Sequence, residues 1–388
     1  MKVGVVVGAG ASVAIDSKRV PLMNNFFEIM ADFAKEDGQI GKNFKTLQKY
    51  KLISNDIAPK GNLENVLTQT LSLPRNQRDP WERPYDGLLL TLHRIFHVLD
   101  KELDIHPYVD CLSPLCELDP EDVVFISFNY DVFLEKALEK LFSWSADFGY
   151  SPNVLVGYMN AEQAEHAQSP NQTCDEVSGW SWDVSPKTSF PSKSTSAIQE
   201  GNGPLVLKPH GSLNWFIHSK GKSPFWMSKR TRGLLLMRSI TGKVGIPRFW
   251  IYPTTNTVNG ELADSSFRVG AVLPAIIPPE EKFSKVIPPF QRIEKLVERA
   301  LSQISALVII GWSMRQSDKK YESLFTKVVS KRKSALNVVA VCDFQQNTAF
   351  YSRFENLLPT QSFEYCNEGF MTQNAKNLLK IVIGSYSA

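Results

Sequence analysis

Four stretches of the chain are apolar without alternation and stop at glycine or polar residues: 3–8 (VGVVVG), 122–128 (DVVFISF), 306–311 (ALVIIG) and 337–342 (NVVAVC). Short unbroken runs rich in Val and Ile are the pattern of strands buried on both faces. A fifth and shorter run, 204–208 (PLVLK), leads into Pro209. Between these runs the apolar period changes to 3.6. One helix carries Phe133, Leu134, Ala137, Leu138, Leu141 and Phe142, and another carries Ile293, Leu296, Val297, Ala300, Leu301 and Ile304. Strands alternating with amphipathic helices predict an α/β fold, a doubly wound and mostly parallel Rossmann-like sheet.

The spacing is uneven. The interval between the first and second strands is mostly helical in pattern, with DGLLLTLHRIFHVLDKEL its clearest helix. It predicts a helical insertion over 26–118, packed beside the sheet, with residues 1–25 and 119–388 forming the sheet domain. Residues 168–203 are rich in Ser, Thr, Pro, Asn and Gly, and loop-rich insertions are expected near 145–203 and 216–270.

Composition narrows the class. The 388 residues are 43% hydrophobic and 21% charged, with a net charge of +3, as in ordinary globular proteins. That charge is too mild for a nucleic-acid binder, and the basic knots SKRTR (228–232) and KRK (331–333) read as solvated surface. No apolar run reaches the ~20 residues that span a bilayer, and the N-terminal run is too short for a signal peptide. A cytoplasmic location is expected. Five cysteines, at 111, 116, 174, 342 and 366, include no C-x-x-C pair, so neither a disulfide framework nor a zinc ribbon is expected.

The first strand empties into Gly8-Ala9-Gly10-Ala11-Ser12, a turn of the kind whose backbone amides hold a pyrophosphate. The full dinucleotide fingerprint would place a third glycine at position 13, where this chain has Val13. The spacing for its acidic residue falls on Glu28, inside a helical pattern. In an open parallel sheet the ligand lies beyond the carboxyl ends of the strands. Those ends read GAGAS (8–12), NYD (129–131), HGSLNW (210–215), GWSMRQSD (311–318) and Asp343. Each has a bland account: Ser12 as a helix N-cap, Asn129 and Asp131 as caps of the next helix, His210 as a turn histidine, Gly311 as a packing glycine and Asp343 as a turn former. Their concentration at five strand ends points to one pocket.

In this order the motifs GAGAS, F-N-Y-D, P-H-G-S, G-W-S followed by Asp318, and a strand ending in Asp343 resemble the sirtuin-like family of NAD-consuming enzymes, and more narrowly its bacterial anti-phage defence branch. The resemblance covers about 1–25 and 119–388. It implies that Gly8, Ala9, Gly10 and Ser12 line the phosphates, that Asn129 holds the nicotinamide ribose or the attacking water with Asp131 buttressing it, and that His210 is the base. Gly311 and Ser313 would contact the adenosine ribose with Asp343 nearby, although Asp343 would lie on the last strand where a ribose-binding carboxylate usually follows the second. Protein-deacylating sirtuins carry a four-cysteine zinc ribbon. Its absence here, with no metal site expected in its place, argues against a peptide substrate and leaves water as the acceptor. His93 and His97 stand four apart, but Arg94 replaces the Glu of H-E-x-x-H, so both are expected in a helix core.

The expected activity is therefore NAD glycohydrolysis to nicotinamide and ADP-ribose, with NAD as substrate. A deacylase, an ADP-ribosyltransferase and a non-catalytic NAD or ADP-ribose sensor are the alternatives. A constitutive NAD hydrolase would kill its own cell, so a gated homo-oligomer is expected, with the helical insertion able to close over the pocket; the same resemblance implies a HerA-type ring ATPase partner.

Overall fold

The computed structural model describes residues 2–56, 61–74, 77, 80–144, 150, 155–159, 203–219, 234–237, 257–258, 261–262, 271–276, 288–314, 318–332, 334–344 and 348–387. Much of the two loop-rich insertions, SKRTR and Cys174 lie outside these residues.

The chain opens with strand β1 (Lys2–Val7) and a one-turn helix α1 (Ala9–Val13). Five helices follow: α2 (Phe26–Glu36), α3 (Gly38–Lys49), α4 (Leu63–Thr70), α5 (Pro84–Glu102) and α6 (His106–Leu112). Asp37 and Asn62 cap α3 and α4 by accepting from amides of the first turn. Helix α5 buries Leu88, Leu89, Leu92, Ile95, Phe96 and Leu99. His93 and His97 are buried there too, their rings stacked 6.4 Å apart, and burial holds His93 well below the usual imidazole range. Glu28 lies exposed on α2.

The chain then enters β2 (Val123–Ser127), α7 (Phe133–Phe142), β3 (Leu155–Met159), β4 (Leu205–Leu207), β5 (Gly211–Ser219), β6 (Leu234–Met237), β7 (Thr257–Val258), β8 (Glu261–Leu262) and β9 (Ala271–Ile276). It closes with α8 (Pro288–Gln303), β10 (Ile304–Ile310), α9 (Lys319–Ser330), β11 (Leu336–Cys342), α10 (Thr348–Leu357), β12 (Thr360–Cys366) and α11 (Gln373–Ser387).

Six strands form one parallel sheet in the order β12-β11-β10-β1-β2-β4. Every residue of β2 and β10 is buried, which requires cover on both faces and explains the unbroken apolar runs. The expected doubly wound, Rossmann-like sheet is therefore present.

The strand ending at Asp343 is not the last, because β12 lies outside it at the sheet edge. Its sequence, TQSFEYC, lacks a continuous apolar run because an edge strand is only half covered, and Gln361 and Tyr365 are exposed. The stretches expected to be loop-rich also contain strands. A second sheet, β3-β6-β5-β9, places β5 antiparallel to β6 and β9, and α5 packs on β9.

Candidate functional site

All six strands of the main sheet run the same way, so Gly8, Phe128, Lys208, Gly311, Asp343 and Asn367 follow their strands along one edge. The chain builds outward from β1 through β2 to β4 on one side and through β10 to β12 on the other. The switch point lies between β1 and β10, where the crevice of a doubly wound sheet forms.

The glycines at that crossing interlock. Gly8 N–H donates to Ile310 O at 2.8 Å and Gly10 N–H to Gly311 O at 3.0 Å. A Cβ on Gly8 would lie 2.5 Å from Gly311 O and from Trp312 Cα, and one on Gly10 would lie 2.8 Å from Gly311 Cα. Gly311 has φ +60, a left-handed conformation that favours glycine. The GAG turn is thus a close contact between two strand ends, and two of the amides expected at a phosphate are engaged within the protein.

Ser12 is the last turn's buried polar residue on α1. It is not an N-cap, since Gly8 holds that position without a side-chain bond. Its Oγ donates to Asp131 Oδ2 at 2.8 Å and accepts from Asn129 Nδ2 at 2.9 Å. A hydroxyl has one proton and a carboxylate only accepts, so with Asp131 ionised Ser12 can only accept from Asn129. This fixes the Asn129 amide with Oδ1 turned away from Ser12. That oxygen is buried and has no hydrogen-bond partner among the described residues, an acceptor that a folded interior rarely leaves unmatched.

Asp131 is itself held from several sides. Oδ1 accepts from Phe133 N–H at 3.2 Å, so Asp131 bonds into the start of α7 as well as to Ser12. Burial pushes its carboxyl up to about 6, with Glu135 adding to the rise and Lys208, Ser12 and the Phe133 amide opposing it. Lys208, fully buried at the end of β4, donates to the Asp131 carbonyl and to Glu135 Oε1 at 2.7 Å. The Tyr150 hydroxyl donates to the same carboxylate oxygen at 2.6 Å.

His210 lies in a turn closed by Gly211 N–H to Lys208 O at 3.0 Å. Gly211 has φ +86, and a Cβ there would sit 1.7 Å from Ala275 O on β9, so glycine is required. His210 Nε2 is 3.3 Å from Asp318 Oδ1, and Asp318 Oδ2 accepts from Trp312 Nε1 at 3.0 Å. The His210 ring packs against Phe128 and Tyr321, each at 5.3 Å, and Phe128 stacks on Trp312 at 4.6 Å.

The structure thus joins Ser12, Asn129 and Asp131 by hydrogen bonds. Leu213 N–H to Tyr130 O at 2.8 Å ties their segment to β5, just past His210. Ala9, Gly311 and Ser313 lie half-buried at the crossing. Asp343 sits farther out, at the end of β11, its N–H on Cys366 O and its carbonyl accepting from Tyr351 at 3.4 Å. Lys208, Glu135 and Tyr321 belong to no motif in the sequence, and the packing of Phe128 and Trp312 around His210 is not legible in F-N-Y-D and G-W-S. The one available signal was a lysine ending an otherwise apolar strand. Among the described residues, no group of three His, Cys, Asp or Glu side chains could hold a metal ion, and no helix is long and apolar enough to cross a membrane.

No protein-family model and no curated protein matches this sequence. Solved structures similar in shape include Sir2Tm bound to a propionylated peptide, at TM-score 0.39 and 10% identity, and a Sir2–p53 peptide–NAD+ complex, at TM-score 0.36 and 11% identity. Each alignment covers 98% of this chain and 92% of the other. At these TM-scores the architecture stands on the sheet order and strand polarity alone.

Proposed function

We propose that the chain is an NAD glycohydrolase that releases nicotinamide and ADP-ribose. The observation that carries this reading is Asn129 Oδ1, a buried acceptor without a hydrogen-bond partner among the described residues, on an amide whose nitrogen the Ser12–Asp131 relay holds just past the carboxyl end of β2. Cleavage at ribose C1′ expels neutral nicotinamide and leaves positive charge on the sugar. A site for it needs an acceptor for a ribose hydroxyl or for the attacking water, and a group that takes the proton. Asn129 supplies the first. His210 supplies the second, because a neutral imidazole has one accepting nitrogen. Ala9, Gly311 and Ser313 are assigned to the diphosphate and adenosine ribose, and Asp343 to the outer edge of that subsite. The motif resemblance adds the setting of antiviral defence by NAD depletion.

The test is nicotinamide release from NAD by the purified chain, followed by chromatography. The expected result is release that depends on Asn129 and His210 and needs no acyl-peptide. Release only with acyl-peptide, accompanied by acyl-ADP-ribose, would make the chain a deacylase. NAD binding without release under any condition would make it a sensor.

A further inference from the structure

We propose that Asp318 is a positioning residue that fixes the tautomer of His210. The proposal rests on the reading of His210 as the base and says which of its nitrogens is free to act. The donor inventory decides the matter. Trp312 Nε1 can only donate, and it donates to Asp318 Oδ2. The remaining oxygen, Oδ1, faces His210 Nε2, and a carboxylate can only accept. Nε2 therefore carries the proton, and Nδ1 is the accepting nitrogen of the neutral ring. The rings of Phe128 and Tyr321, the latter at 90° to the imidazole, hinder the ring rotation that would exchange the two nitrogens.

A second observation points the same way. Asp318 is the N-cap residue of α9 but makes no side-chain cap bond. Aspartate at that position ordinarily accepts from amides of the first turn and stabilises the helix by about 1 kcal/mol. Here the carboxylate turns from the helix toward an imidazole and an indole, with His210 and Asp318 both buried.

The experiment uses Asp318→Asn, which is nearly the same shape. The indole N–H draws the amide oxygen of the new side chain, so its NH2 faces His210 Nε2. That nitrogen must then accept, and the proton moves to Nδ1. Ring ¹⁵N spectra of histidine-labelled protein, assigned with His210→Gln and recorded without substrate, read the tautomer directly. We expect Nε2–H in the wild type and Nδ1–H in Asp318→Asn. Nicotinamide turnover should fall about a hundredfold or more, the range of positioned acid–base groups, with NAD affinity changed far less. Adding Trp312→Phe to Asp318→Asn removes the indole donor and lets the amide rotate to accept from Nε2–H. The original tautomer should return, with turnover recovering toward that of Trp312→Phe alone.

A wild-type ring protonated at Nδ1, or a tautomer unmoved by Asp318→Asn, overturns the proposal whether or not the chain hydrolyses NAD. An inverted tautomer in a chain whose wild type never releases nicotinamide supports the positioning and removes the hydrolase reading.

Discussion

Replacing Asp131 by Asn removes one titration from the centre of the protein while keeping its shape, so the stability difference between the two chains, followed against pH, reads the cost of burying that carboxylate. The group ionises near 3.8 when unperturbed and near 6 in the folded chain. Between those values the folded state holds a proton that the unfolded state has lost, so folding stability drains away as pH rises, by about 1.4 kcal/mol per pH unit. Below the lower value both states are protonated. Above the upper one both are ionised and the full penalty, about 3 kcal/mol, is in place. The stability of Asp131→Asn minus that of the wild type should therefore increase by about 3 kcal/mol between about pH 4 and pH 7 and then level off. Urea unfolding of both chains across that range gives the difference, and titrations common to both cancel. A difference flat to within roughly 0.5 kcal/mol, or one falling with pH, would refute the reasoning. Lys208 would then compensate the charge in full, and the buried relay would cost the fold nothing.

Asn129→Ala should lower nicotinamide turnover by about a hundredfold or more, with a smaller effect on NAD affinity by calorimetry, since it removes the oriented acceptor and leaves the crossing at Gly311 intact. Lys208→Met should destabilise the chain by about 3–5 kcal/mol in denaturant unfolding, because it strands the buried Glu135 carboxylate; Glu135→Gln added to it should return part of that loss. Gly10→Ala should cost about 1–3 kcal/mol and lower the melting temperature even without NAD, because its Cβ meets the Gly311 backbone at 2.8 Å. A Gly10 variant that melts like the wild type and loses only NAD binding would return the glycine to a purely phosphate-holding role.

Local pattern determined the layers. Five of the six sheet strands were legible because a strand covered on both faces must be apolar at consecutive positions, and the helices between them because a single buried face repeats every 3.6 residues. From parallel polarity it follows that Ser12, Asn129, His210 and Gly311 share one edge. The polar edge strand β12 carries no such mark, and two strands of the second sheet, β3 and β6, fell in stretches expected to be loop-rich.

Pairing across the fold was decided only by the tertiary structure. Ser12 suits an N-cap by its local sequence, yet its hydroxyl serves Asp131 and Asn129, more than a hundred positions away. Asp318 follows a recognisable G-W-S, but nothing near it in the chain announces His210 as its partner. The glycines of GAG look like a phosphate cradle until Gly311 is seen pressed against them. Hydrophobic burial is read residue by residue and so leaves a periodic trace, whereas a hydrogen bond or a steric fit depends on two surfaces that only the folded chain brings together.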